Sequence, residues 1–220
     1  MSIAILTGAS AGLGQSFFKS LIARHPDLDS IWLIARRRER LEQMADGCPV
    51  PVTVLPLDLV DAASYDALAD KLKTENVKVK ILINNAGLGE LDNVADSTWP
   101  VQSRMVDLNC RALTAVTTVV LPFMERGGYV LNVCSIASFC PNTRMCLFIT
   151  IKLCHRINSY SILSCPILKV CCYIKNNCIS CNYIMCFMHF PTNTTIILNI
   201  IKYHILNVVS FFVIFNIIFN

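Results

Sequence analysis

The sequence predicts an α/β fold, a doubly wound parallel sheet of strand order 3-2-1-4-5, and two observations predict it. From residue 3 to residue 134, short apolar runs of four to six residues alternate with longer stretches of helical period, the pattern of a parallel sheet covered on both faces. A glycine-rich segment, Thr7-Gly8-Ala9-Ser10-Ala11-Gly12-Leu13-Gly14, stands directly between the first apolar run and the first helical pattern, where such folds turn from strand into helix. Right-handed crossovers then set the strand order.

The expected strands are Ile3 to Thr7, Ile31 to Ala35, Val52 to Pro56, Ile81 to Asn84 and Tyr129 to Cys134. Between the first two, Leu13, Phe17, Leu21 and Ile22 form one buried stripe, and His25-Pro26-Asp27 stops the helix. Arg37 to Ala45 is a short helix packing through Leu41 and Met44. Asp61 to Lys73 is another, with Leu68 and Leu72 inward and Asp61 as N-cap. Residues 98 to 125 carry a long helical pattern whose apolar line runs through Leu108, Ala112, Ala115 and Val119.

Past residue 141 the alternation stops. All 15 acidic residues lie at or before Glu125, the last glycine is Gly128 and the last alanine Ala137. Residues 141 to 220 therefore hold no Asp, Glu, Gly or Ala, whereas glycine alone makes up about 7% of ordinary domains. Residues 1 to 140 carry 13 basic against 15 acidic residues, a net of −2, and the tail carries 6 basic residues and no acid. The division expected is a domain over 1 to 142 and, over 143 to 220, a hydrophobic tail rich in Ile, Asn and Cys with no derivable fold. Without further strands, Tyr129 to Cys134 would form a sheet edge.

Chemistry concentrates in the first part. The glycine loop is the Rossmann-type phosphate cradle: Gly8 permits the tight turn, Gly12 lets backbone approach a pyrophosphate, and Gly14 lets the helix close on the sheet. The helix N-terminus brings free N–H groups to the phosphates. At the end of the second strand stand Arg36 and Arg37, where an NAD site offers a carboxylate to the ribose; guanidinium groups there suit a 2′-phosphate instead. NADP(H) is the cofactor expected. Arg38 and Arg40 read as the solvated start of a helix.

Together these motifs resemble the short-chain dehydrogenase/reductase family: the loop at Thr7 to Gly14, Asp58-Leu59 after the third strand, Asn84-Asn85-Ala86-Gly87 after the fourth, Asn109 in the long helix and Ser135 after the fifth. The resemblance covers residues 2 to about 142. It implies a cofactor site of Gly8, Ser10, Gly12, Leu13, Gly14, Arg36, Arg37, Asp58, Leu59, Asn85, Ala86 and Gly87, with Asp58 at the adenine edge. It also implies hydride transfer between nicotinamide and a small carbonyl or alcohol. Asn109, Ser135 and Lys152 would belong to a catalytic Asn-Ser-Tyr-Lys set.

The tyrosine of that set is missing. The family places it about a dozen residues after the serine, with lysine four further along the same helix face; this sequence has Phe148, followed by Lys152. A phenyl ring neither donates nor accepts a proton, and loss of a general acid/base costs about 10²- to 10⁴-fold in rate. Either one substitution sits in a true family helix, or family sequence ends near residue 142. The compositional break and the lack of small residues around Phe148 favour the second. The tail's composition resembles translated AT-rich non-coding DNA, from read-through or mis-splicing. The alternative to an impaired oxidoreductase is then a non-catalytic dinucleotide-binding or membrane-tethered product, or a chain without function.

No metal site is expected: Cys178-Ile179-Ser180-Cys181 has one pair at metal spacing, and no second pair follows. The tail's six basic residues are scattered, which argues against nucleic acid. Residues 196 to 219 are long enough to span a bilayer, yet Lys202, His204, Asn199, Asn207 and Asn216 make a poor span. With no secretory signal ahead of the first strand, a cytoplasmic location is expected, membrane association through 196 to 219 being the alternative. The family's homo-oligomer interface, built from later elements, is expected to be lost.

Overall fold

The computed structural model describes residues 1–90, 96–135 and 169–175; of residues 134–135 and 169–175 only the backbone is described. Five strands, β1 (Ser2–Thr7), β2 (Ser30–Ile34), β3 (Val52–Leu55), β4 (Lys78–Asn84) and β5 (Met124–Ser135), stand in the order 3-2-1-4-5. All the pairings are parallel. The helices are α1 (Leu13–Arg24), α2 (Arg38–Ala45), α3 (Ala63–Thr74), α4 (Trp99–Val106) and α5 (Ala112–Val120). The fold class and strand order are those expected from the sequence.

Strand residues alternate between two apolar layers, because successive side chains of a strand point to opposite faces. Ile3, Ile5, Trp32 and Ile34 pack with Leu68 and Leu72 of α3 and Ala112, Val116 and Val120 of α5. On the other face Ala4, Leu6, Ile31 and Leu33 pack with Phe17, Phe18 and Leu21 of α1 and Leu41 of α2. Both faces are thus covered, as the near-continuous apolar strands require.

Three details depart from the sequence reading. The long helical pattern is broken by a π-turn, Asp107–Arg111. Its wider turn advances the phase, so the buried line is Met105, Asn109, Ala112, Leu113, Val116, Thr117 and Val120, while Leu108, Ala115 and Val119 are only partly buried. The pattern also ends earlier than expected, at a 3-10 turn, Leu121–Phe123, and Met124 already belongs to β5. Asp61 is not the N-cap: α3 begins two residues later than expected with Ala62 at the cap, and Asp61, one residue earlier, accepts the Ala63 N–H on its Oδ1 at 3.0 Å.

The third departure is a sixth strand, β6 (Lys169–Lys175), parallel to β5 over residues Tyr129 to Ser135. The expected free edge at Tyr129 to Cys134 is therefore covered, by a strand from the stretch in which the sequence shows no periodicity. Val170 to Ile174 is a continuous apolar run between two lysines, and such runs carry no period by which to assign them. The tail beyond Lys175, with Cys178, Cys181 and residues 196 to 219, lies outside the described residues, as do Phe148 and Lys152.

A buried polar tie joins the centre of the sheet to α5. Asn84 Nδ2 donates to Thr117 Oγ1 and to Asn132 Oδ1, each at 2.9 Å. Replacing Asn132 by Leu removes one acceptor from this buried amide, and an unsatisfied buried donor costs about 1–3 kcal/mol. A fall in Tm of roughly 2–4 °C per kcal/mol is expected; an unchanged melt would show that the tie contributes nothing to stability.

Candidate functional site

The C-terminal ends of β1 to β4 meet where the strand order reverses between β1 and β4, the point at which open α/β sheets form a crevice. A cleft lies there. Its walls are Gly8 and Ser10 from the β1–α1 loop, Ile34 to Arg37 from the end of β2, Leu57 to Val60 after β3, Ala86 to Leu88 after β4, and Arg104 and Leu108 from α4 and the π-turn. Eight of the twelve residues expected at a cofactor site line it: Gly8, Ser10, Arg36, Arg37, Asp58, Leu59, Ala86 and Gly87. Gly12, Leu13, Gly14 and Asn85 do not.

Leu13 packs partly buried against the core, and the other three act behind the cleft or beside it. A Cβ on Gly14 would lie 2.2 Å from the Gly8 carbonyl oxygen and 2.8 Å from Ala9 Cα, so α1 closes on its own entry loop through the missing side chain. Gly12 has φ +55°, and nothing lies within 4 Å of the position a Cβ would take. Asn85 faces inward: its Nδ2 donates to the carbonyls of Thr7 and Gly8 at 3.1 and 3.0 Å. Thr7, buried at the end of β1, accepts the N–H groups of Asn85 and Ala86 on its Oγ1, both at 3.0 Å. The glycine loop and the Asn84 to Gly87 loop are thereby one unit, with Gly8 pressed so close to Ala86 Cα that a Cβ would stand 2.7 Å away.

The segment after β3 is held as firmly. Three successive carbonyls each accept a side-chain donor: Asp58 from Ser64 Oγ at 2.7 Å, Leu59 from the Tyr65 hydroxyl at 2.6 Å, and Val60 from Arg111 Nη2 at 2.8 Å. Burial pushes the Tyr65 phenol above its ordinary pKa, which keeps this donor protonated. Asp58 Oδ1 accepts the Val60 N–H at 3.1 Å, and its Oδ2 stands 3.8 Å from Arg104 Nη2.

Of the residues expected to be catalytic, Asn109 is fully buried in the π-turn. Its side chain clamps the Leu88 backbone, Oδ1 accepting the N–H at 3.0 Å and Nδ2 donating to the carbonyl at 2.6 Å. Ser135 ends β5 on the same edge of the sheet, opposite Lys175 of β6. Lys152 lies outside the described residues.

The residues present fit a dinucleotide phosphate. Gly12 leaves open space at a positive φ that glycine alone adopts readily. The first turn of α1 holds no acidic residue and no side-chain cap, and although the Gly14 N–H goes to the Ala11 carbonyl at 3.1 Å, the positive dipole end of the helix meets no carboxylate of its own and suits an anionic ligand. Sequence reasoning read Thr7 only as the start of the glycine loop and missed Ser64, Tyr65, Arg104 and Arg111. Of those four, Arg104 alone had a signal, standing one turn before Leu108 on the helix.

Residues 2–154 match the short chain dehydrogenase family. Among curated relatives, an NADP-dependent 3-hydroxy acid dehydrogenase, YdfG, of Escherichia coli is 30% identical, with 63% of this chain and 56% of that protein covered. Dehydrogenase/reductase SDR family member 7 of Mus musculus is 32% identical over 60% of this chain and 41% of its own length. An uncharacterized oxidoreductase of Staphylococcus epidermidis is 26% identical over 63% and 60%. The chain thus spans 41–60% of the length of these relatives. Of solved structures, a short-chain dehydrogenase from Sphingobium yanoikuyae in complex with NADPH superposes with TM-score 0.71 at 26% identity, covering 80% of this chain and 71% of that one.

Proposed function

The chain belongs to the short-chain dehydrogenase family, and from that premise we propose that it binds NADP(H) and has the fold of a carbonyl/alcohol oxidoreductase whose catalytic set is incomplete. The observation that carries the cofactor reading is the placing of Arg36 and Arg37 on the wall of the cleft that the glycine loop opens into. Both are exposed and immediately follow β2, where a 2′-phosphate rather than free ribose hydroxyls finds its counter-charge. Gly8, Ser10 and Gly12 would cradle the pyrophosphate, with Leu13 and Gly14 carrying the helix that closes behind them; Asp58 and Leu59 would take the adenine edge and Ala86 and Gly87 the second ribose, with Asn85 tying that loop to the glycine loop. YdfG, by its name NADP-dependent, and the Sphingobium enzyme with NADPH support the preference.

When bound, the nicotinamide group supplies or accepts the hydride. In this reading Ser135 orients the substrate oxygen, Asn109 holds the loop behind the site through Leu88, and Lys152 would serve a tyrosine that Phe148 replaces. The substrate is a small carbonyl or alcohol compound, and the location proposed is cytoplasmic. The unit proposed is 1 to 142, with 143 to 220 as an atypical tail.

Changing both Arg36 and Arg37 to Ala is expected to weaken NADPH by at least tenfold and leave NADH nearly unchanged. Charge-assisted hydrogen bonds contribute about 1.5–3 kcal/mol each, and 1.4 kcal/mol is a factor of ten. Equal affinity of the unchanged chain for NADPH and NADH in a fluorescence titration would refute the preference.

A further inference from the structure

Three guanidinium groups, those of Arg36, Arg37 and Arg104, line the cleft with one carboxylate, that of Asp58. The surplus is local, because residues 1 to 140 as a whole carry a net −2. Arg36 and Arg37 are accounted for by the 2′-phosphate reading; Arg104 is not. It comes from α4, and its ion-pair partner, Asp58 Oδ2, stands 3.8 Å away, with both side chains about half exposed. That separation exceeds a hydrogen bond, and half-exposed pairs of this kind hold weakly. Asp58 Oδ1 accepts the Val60 N–H, while Oδ2 has Arg104 only at 3.8 Å, in a cleft that both residues line.

We propose that Arg104 is a base-binding residue, its planar guanidinium packing against the face of the purine whose amino group donates to Asp58. The inference rests on the dinucleotide reading above and adds to it a ligand that acts on the adenosine moiety rather than on the phosphate. A guanidinium is weakly hydrated and stacks on aromatic faces, which an ammonium does not do. Leu108, one turn along from Arg104, and Leu57 and Leu59 from the pinned segment after β3 line the same cleft. They supply the apolar surface against which a base is held.

The test is calorimetric titration of the full 220-residue chain and its variants with NADPH, NADH and 5′-AMP. Arg104→Leu is expected to weaken all three by a common factor of roughly five to ten, because all three carry adenosine. Arg104→Lys is expected to recover little of this, having charge without a plane. The circular dichroism spectrum should stay unchanged, since the side chain is half exposed. Loss confined to NADPH would assign Arg104 to the phosphate, and full rescue by Lys would reduce its part to charge attraction; either overturns the proposal. If the unchanged chain binds the dinucleotides and Arg104→Leu binds them equally well, only this inference fails. If the unchanged chain binds none of the probes, the dinucleotide reading fails with it.

Discussion

Replacing Gly14 by Ala is expected to lower Tm by several degrees and to abolish NADPH binding, whereas Gly12→Ala should lower Tm only through its backbone conformation. The difference is steric. A methyl group on Gly14 would stand 2.2 Å from the Gly8 oxygen and within 2.9 Å of two Ala9 backbone atoms. None of these is the end of a flexible side chain that could swing aside. Gly8 in turn is fixed against Ala86 and hydrogen-bonded through its carbonyl to Asn85. The strain must therefore move α1 as a body or open the joint between the two loops, and overpacking of this kind costs about 1–3 kcal/mol or more. On Gly12 the same methyl meets nothing within 4 Å, so the folded state bears only the backbone cost of φ +55°, ψ −125°, a conformation open to glycine and sparsely populated by other residues, about 1–3 kcal/mol. The group would nonetheless project where a phosphate must approach, and NADPH affinity should fall by tenfold or more. Thermal melts with NADPH titrations separate the two effects. A Gly14→Ala chain with unaltered Tm and affinity would show that the helix does not close on the loop in this way.

The parts of this molecule readable from sequence are those in which a local rule acts alone. The five strands and their order follow from apolar runs and chain handedness. Eight of twelve expected cofactor residues reach the cleft, because the motifs sit at strand ends whose positions the sheet dictates. What could not be read depends on residues distant in sequence. Ser64, Tyr65 and Arg111 each donate to one of three successive carbonyls, and nothing in their own neighbourhoods marks them for it. Asn85, read as a cofactor residue, spends its side-chain amide on the backbone of the loop opposite. The π-turn at Asp107–Arg111 shifted the buried helix face, since apolar spacing was read at a constant 3.6 residues per turn. The strand β6 has no periodicity to detect, and it stands beside β5 in a parallel pairing between residues about 40 apart in sequence.

Turnover of ordinary ketones and alcohols by the chain as it stands is expected to lie at background, on the reading that Phe148 stands where the family has its catalytic tyrosine. The family match runs to residue 154 and so takes in both Phe148 and Lys152, four apart and on one face if that stretch is helical. A missing general acid/base accounts for about 10²- to 10⁴-fold in rate, enough to hide turnover even where NADP(H) binds normally. Two chains distinguish what else is lacking. If the stretch is a family helix with one substitution, Phe148→Tyr should raise the rate of NADPH oxidation with a ketone panel by that factor, provided Ser135 is present. If family sequence ends near residue 142, the single change should do nothing, and only exchange of residues 143–220 for a relative's C-terminal half should bring activity. The first outcome would also extend the cofactor unit beyond residue 142. Measurable activity of the unchanged chain that disappears with Ser135→Ala would mean that another group supplies the proton, and that the replacement of tyrosine by Phe148 is not what limits this protein.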